Sequence, residues 1–477
     1  MKLLKLVFIL SAIFLVSKNG LSQERWSLEK CIDYALEHNI QIKQQELNAK
    51  YSENLLVQSK LNLLPSLNGN TSLNNSFGRS VDPYTYEFTT ENVQSMNFSL
   101  SSSVTLFSGL QKLNAIKQNE FNLLSSLQDV EKTKNDIALN ITAAFLQILF
   151  NEELLAVAQK QLEITNMQVE RTKKLVEAGS LAKGSLLEIQ AQQASEELQV
   201  VNMENQIDIS FLTLTQLLEL ESTENFEIEN PNLPDVDESV SLSKVSSIYQ
   251  QGVSSLPQIK SAEFQLLSSE KALAISKAMY YPSLSLNASI YSGYSNNVQK
   301  SIFFTSLVES QLIGHTAGGE EVWSEEYSSI SQTYESYPFS DQVKDNAYKS
   351  LGFNLSIPIF NNWQVQTAVK NSKIALLNAE YNLELQKNVL YKEIQVAHTD
   401  AIAAQKKFIS TKKAVTSIEE SFRYTQQKFD VGLVNSVDYN VAKNQLSQTQ
   451  SELLQSKYDY IFKTKILDFY NGKPIVL

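Results

Sequence analysis

The sequence predicts a mainly α-helical chain with a small β part. Its long helices pair as coiled coils, and its four short strands close only together with other copies of the chain. Three observations predict this: two stretches of more than 100 residues almost free of helix breakers, a heptad-spaced apolar seam through the first, and a duplication of the whole pattern. No proline lies between 84 and 230 or between 359 and 473. Between Gly109 and Gly252 the only glycines are Gly179 and Gly184, and between Gly352 and Gly472 only Gly432. Inside a helix proline costs about 3 kcal/mol and glycine about 1, so these absences are a positive helix signal.

Composition narrows the function classes. The 477 residues carry 40 Lys and Arg against 52 Asp and Glu, a net charge of −12, which is unsuited to nucleic acid because phosphate binding needs clustered cations. One cysteine, Cys31, excludes an internal disulfide and a Cys-based zinc site; on its helix it reads as a small apolar residue. His38, His315 and His398 are far apart, and His38 reads as structural. No Gly-x-Ser-x-Gly, His-Glu-x-x-His or phosphate loop is present, so no enzyme, metal or cofactor is expected.

Taken in order, residues 1–22 read as a signal peptide: Lys2 and Lys5, an apolar run from Leu6 to Val16, then Gly20 and Ser22 before a cut. Its removal takes three lysines and no acids and leaves −15. No later segment has eighteen consecutive apolar residues, so entry into a membrane is expected only as strands. The first repeat is 23–242, with a helix over 27–63, strands over about 67–107, helices over 108–220 and a linker over 221–242. The second is 243–477, with a helix over 243–281, strands over about 283–360 including a long insertion, helices over 361–470 and a C-terminal tail.

The long helix of the first repeat carries the seam. Stepping by threes and fours from Leu113 to Val176 gives nineteen positions, of which fourteen are apolar. The polar members, Glu120, Lys134, Asn151, Thr165 and Thr172, fit a register-setting or pore-side role, or equally seam positions near an end or facing solvent.

Two constant offsets relate the repeats. Ile42, Lys43, Glu46, Glu53, Pro65, Ser66 and Leu67 recur 217 residues later, from Ile259 to Leu284. Leu106, Phe107 and Gly179 correspond to Ile359, Phe360 and Gly432 at an offset of 253. The difference is a 36-residue insertion between Pro282 and Phe360, and in both repeats the phenylalanine precedes the glycine by 72 residues. The strands alternate: Phe98, Leu100, Val104 and Leu106 against Ser99, Ser101, Ser103 and Thr105, and Phe353, Leu355, Ile357 and Ile359 against Asn354 and Ser356. This suits an outer-membrane barrel and equally any half-buried sheet.

Geometry then demands partners. A helix of about 70 residues is roughly 105 Å long, and the two shorter helices of a repeat together match it. Four strands cannot close a membrane barrel, and an open edge is not tolerated in lipid. Three copies would supply twelve strands and twelve full-length rods.

These residues resemble the outer-membrane efflux protein family, the TolC-like channels. The resemblance rests on Trp26-Ser-Leu-Glu-Lys-Cys-Ile-Asp-Tyr-Ala-Leu-Glu-His-Asn39, on the duplicated halves, and on two turn segments, Val176 to Ser185 and Phe429 to Asp438. The family pattern there is Val-Gly-Leu, then Thr or Ser, then Asp six residues after the glycine. The second turn keeps it; the first has Ser185 in place of the aspartate and an additional Gly184. The resemblance implies a homotrimer with a β-barrel in the outer membrane and an α-helical barrel through the periplasm. It implies an exit duct of a tripartite efflux or type I secretion system, joined through a periplasmic adaptor protein to an inner-membrane pump, for small molecules or polypeptides. A periplasmic coiled-coil adaptor or scaffold is the rival reading; two hairpins, strands and only 14 glycines argue against it.

Site residues follow from both lines. Gly179 and Gly432 sit where the chain must reverse, which needs positive φ. With Leu181 and Val434, apolar at exposed turns, they are the expected adaptor contacts. Asp430 and Asp438 are either a charged ring at the mouth or, respectively, part of a solvated face and a helix cap. Tyr280 and Tyr281 before Pro282 are the expected membrane-interface aromatics. Ten further aromatics in 283–349 fit either an interface girdle or an extracellular cap built on the insertion.

Overall fold

The structure, a computed structural model, describes residues 25–90, 92–224, 226–231 and 243–475. The leader read over 1–22 and the part of the 221–242 linker beyond Pro231 lie outside them.

Nine helices and ten strands form among the described residues, and the duplication reaches their lengths. Helix α1 (Leu28–His38) and α5 (Val245–Ser255) have 11 residues each; α2 (Ile40–Leu61) and α6 (Pro257–Ala278) have 22. The long α3 (Gln111–Glu177) and α8 (Gln364–Asp430) have 67 each, and the returning α4 (Lys183–Leu217) and α9 (Ser436–Tyr470) have 35.

The single helices expected over 27–63 and 243–281 are therefore broken in two. The break falls at equivalent places through different chemistry. Asn39 is extended (ψ 129°), and its Oδ1 accepts from the N–H groups of Gln41 (2.9 Å) and Ile42 (3.4 Å), capping α2. In the second repeat Leu256 is forced out of the helical region by Pro257, which then opens α6. Duplication is also visible where strand gives way to long helix. Gly109 and Leu110 have φ of 61° and 67°, and their counterparts Asn362 and Trp363 have 51° and 64°.

The compact units are not the two repeats. One unit joins the described residues up to 55, those of 118–270 and those from 374 onward; the other joins those of 56–117 and 271–373. Each repeat contributes to both.

The helical unit is cored by Leu28, Cys31 and Ala35 against Ile137, Ile141, Phe145 and Ile148 of α3, Leu214 of α4 and Ile461 of α9. A second cluster sets Ile248, Leu256 and Ile259 against Leu390, Ile394 and Ala401 of α8. The most apolar stretch of α3 is thus occupied in helix packing. Of the seam's polar members, Asn151, Thr165 and Thr172 are buried, whereas Glu120 and Lys134 remain partly exposed. Asn151 Nδ2 donates to Gln206 O (3.3 Å) and Ser210 Oγ (3.2 Å) on α4, which fixes register between the two helices.

The strand unit holds one four-stranded antiparallel sheet, ordered β1 (Ser66–Ser76), β4 (Val93–Phe107), β5 (Ser283–Ser295), β10 (Tyr348–Ser356). Strands β2 (Ser80–Val81) and β3 (Phe88–Thr89) form a short hairpin between β1 and β4. Register sorts most of the sheet's side chains, with Lys349, Ser102 and Ser292 among the exceptions on the apolar face. Asn68, Asn70, Ser99, Ser101, Ser285, Asn287, Ser350 and Asn354 share one face; Leu67, Phe98, Leu100, Leu286, Ile290, Leu351 and Phe353 share the other. Leu106 does not extend this alternation as expected, because a register shift falls between Thr105 and Phe107. Edges β1 and β10 have no neighbouring strand among the described residues.

The insertion has regular structure of its own. It is a β-ribbon of β6 (Gln299–Val308) with β9 (Tyr327–Ser336), continued by β7 (Leu312–His315) with β8 (Glu321–Trp323), and closed by the short helix α7 (Phe339–Asp345). Six of the ten aromatics of 283–349 lie in these elements and Tyr337 lies between β9 and α7; Tyr291, Tyr294 and Tyr348 stand on the main sheet.

Candidate functional site

Both long helices end in the same hydrogen-bonded turn. Gly179 N donates to Val176 O (3.0 Å) and Ser180 N to Leu175 O (2.8 Å); Gly432 N donates to Phe429 O (3.1 Å) and Leu433 N to Lys428 O (2.8 Å). The glycines have φ of 72° and 79°, a conformation that clashes with a Cβ.

The starts of the returning helices differ. Asn435 caps α9, its side chain accepting from Asp438 N at 2.8 Å, whereas Ala182 at the start of α4 offers no side-chain cap. The cap expected of Asp438 therefore belongs to Asn435. Asp438 is instead the first-turn carboxylate, placed where the helix dipole favours negative charge. Asp430 is not a free mouth charge either. Its carboxylate accepts from Arg171 Nη1, and Arg171 Nη2 donates to Asp430 O at 3.0 Å, linking the ends of α3 and α8.

Between the two turns lies a cavity of about 640 Å³, lined by Leu175, Leu181, Ile189, Leu433, Val434 and Tyr439 among others. Three polar side-chain atoms of its lining, Gln168 Oε1, Tyr439 Oη and Asn440 Oδ1, are buried without a hydrogen-bond partner. Leu181 is exposed, as expected, at 41%. Val434 is only half-buried, and the second turn exposes Leu433, at 76%, and Val431, at 71%, instead. Sequence reasoning missed Leu433 because offset alignment pairs Leu181 with Val434.

It also missed the polar centre beneath the tip. Lys443 of α9 is 2% exposed in its side chain. Its ammonium donates to Gln161 O (2.8 Å), to Thr165 Oγ1 and to Glu196 Oε1 (2.9 Å), so all three N–H bonds are used. Glu196 of α4 in turn accepts from Thr165 Oγ1 (2.6 Å) and Gln192 Nε2 (2.7 Å). Burial pulls the lysine below its ordinary range, and Glu196 opposes that. The cluster ties three helices together. The only hint in the sequence was a threonine on an apolar seam.

Tyr280 and Tyr281 follow α6 and are both exposed. Tyr281 packs on Gly109, where a Cβ would come within 2.9 Å of the tyrosine's own Cβ. Cys31 is fully buried, which pushes its thiol up to about 12. His38 is held by Tyr34, its Nδ1 at 2.9 Å from Tyr34 O and the rings stacked.

The chain thus carries two helical hairpins with matching turns and a sheet with one polar and one apolar face. The chain belongs to the outer membrane efflux protein family, whose profile matches residues 31–219 and 248–467. It is an outer-membrane protein of TolC-like fold. Toxin and drug export protein A of Aggregatibacter actinomycetemcomitans is 21% identical over 447 residues, 91% of this chain and 83% of that one. The outer membrane protein TolC of Vibrio cholerae is 24% identical over 134 residues, 26% of this chain and 31% of that protein. Among solved structures, CusC superposes with a TM-score of 0.74 at 16% identity, covering 94% of this chain and 92% of its own. VceC of Vibrio cholerae gives 0.72 at 15%, covering 94% and 96%.

Proposed function

We propose that three copies close into one duct, β1 of each pairing with β10 of the next, and that this duct is the outer-membrane exit of a tripartite efflux or type I secretion system. The observation that carries the reading is the two-faced sheet: an Asn and Ser face suits a wet lumen, and a Leu, Ile and Phe face suits lipid. The unpaired edges of β1 and β10 supply the closure. Tyr280 and Tyr281 sit at the helix end of the sheet and serve as interface anchors. The ribbon of the insertion, at the opposite end, faces outside the cell.

The tip is the docking site for the helical hairpin of a periplasmic adaptor, which couples the duct to an inner-membrane pump. Gly179 and Gly432 shape it; Leu181, Val434 and Leu433 make contact; the buried unpaired oxygens of Gln168 and Asn440 await donors from the partner. The cargo is small molecules or polypeptides. The test is the double change Leu181→Asp with Leu433→Asp, expected to abolish efflux while trimer yield and outer-membrane insertion stay intact. Efflux that survives, or is lost only together with the trimer, overturns the docking assignment.

A further inference from the structure

We infer that the loop Asp82–Glu87 stands inside the duct at its outer mouth, and that Tyr84 sets the width of the opening there. The inference rests on the reading of the Asn and Ser face as the lumen wall.

The loop lies on that face, at the strand ends away from the helices. Asp82 is fully buried. Its carboxylate accepts from Tyr84 N (2.8 Å), Thr85 N (3.0 Å) and Ser295 Oγ (2.5 Å). Asp82 N donates to Glu87 O (3.0 Å) and Tyr86 N to Asp82 O (2.9 Å), so the segment is closed on itself. Pro83 follows the aspartate and stiffens the turn. The Tyr84 hydroxyl then reaches across the sheet and donates to Asn97 Oδ1 (2.5 Å), which also accepts from Tyr291 (2.5 Å). Asn97, Tyr291, Gly293 and Ser295 all belong to the polar face by register.

Gly293 makes this seat possible. A Cβ there would fall 1.3 Å from the Tyr84 oxygen, so the ring lies where only glycine leaves room. Gln342 of α7 locks the same spot, accepting from Ser295 N and donating to Ser295 O, each at 3.0 Å. Meanwhile α7 itself packs on the apolar face, through Phe339 against Phe98 and Tyr294. The two decorations of the sheet end are thus segregated: the helix on the lipid side, the tyrosine loop on the lumen side. Tyr86 is held at φ 60°, a costly conformation for a bulky residue that its hydrogen bonds sustain, and it remains 81% exposed.

In a threefold duct the loop appears three times around the mouth. The polar face carries no charged residue along the paired strands, and the ring at its end is of tyrosines. Along that wall width, and not charge, sorts solutes, the nearest exposed charge of each loop being Glu87 at its end.

The experiment places a reporter deeper on the same face, Asn287→Cys in a Cys31→Ser background, and adds maleimides outside intact cells. One reagent is a small sulfonated maleimide; the other carries a polyethylene glycol chain. With the loop in place, only the small reagent should label the reporter. Gly293→Ala, which takes the space of the Tyr84 ring and leaves the loop's own sequence unchanged, and Tyr84→Ala should each admit the large reagent, with trimer yield unchanged. Labelling by both reagents with the loop intact overturns the constriction and leaves the duct standing. A reporter that neither reagent reaches overturns the lumen assignment itself. Continued exclusion of the large reagent in both loop variants shows that another segment narrows the mouth and removes Tyr84 from the role.

Discussion

The buried pair beneath the tip yields an asymmetric prediction. Lys443 has every N–H bonded and almost no water, so removing its counter-charge leaves an uncompensated ammonium in the helix core. Glu196 is better placed to lose its partner: it is 12% exposed and keeps the donors Thr165 and Gln192. Breaking a buried pair from one side costs about 3–5 kcal/mol, whereas replacing both partners is often neutral. Glu196→Gln should therefore fall in that range, Lys443→Met below it, and the double variant close to wild type. The assay is unfolding in denaturant, followed by far-ultraviolet circular dichroism of the purified trimer. The sign of the pH effect is fixed as well. Burial holds the folded-state pKa of Lys443 below its unfolded value, so between the two the unfolded chain binds more protons and stability rises with pH. Glu196→Gln removes the one group that raises that pKa, which widens the window, so its deficit should shrink at alkaline pH while that of Lys443→Met does not. Single effects that simply add in the double variant, or a deficit of Glu196→Gln that does not change with pH, would refute the reasoning.

Two further outcomes follow from the same structure. Cys31, fully buried and with its thiol pushed up to about 12, should resist thiol reagents in the folded protein at neutral pH and react fully after denaturation. Gly432→Val places a β-branched residue at φ 79° and should cost roughly 1–2 kcal/mol, seen as a lowered unfolding midpoint, with Gly179→Val behaving alike.

Much of this architecture is legible without coordinates, for a physical reason. Long helices are local: their backbone bonds close within four residues, so the scarcity of proline and glycine, and the two glycines at fixed distance, mark where each rod runs and turns. The duplication told of itself because both copies keep one spacing. Strand faces were legible from alternation, although the shift at Leu106 was not, since a bulge is settled by pairing with a neighbour. The break at Leu256–Pro257 was readable in principle from the proline, whereas that at Asn39 rests on a side chain that serves equally well inside a loop.

What tertiary structure alone decided is where distant polar groups meet. Lys443, Glu196 and Thr165 are up to 278 residues apart and unremarkable one by one; only helix packing excludes water from all three at once. Asp430 meets Arg171 across 259 residues, which turns an expected mouth charge into an ion pair. Asp82, Tyr84 and Gly293 become a seat only because β4 and β5, from different repeats, lie side by side. The sequence alone determined the rods, the turns and the two faces of the sheet, because those depend on local sterics and periodicity. The burial and pairing of single polar side chains depends on which other segment covers them, and that is a property of the packed chain.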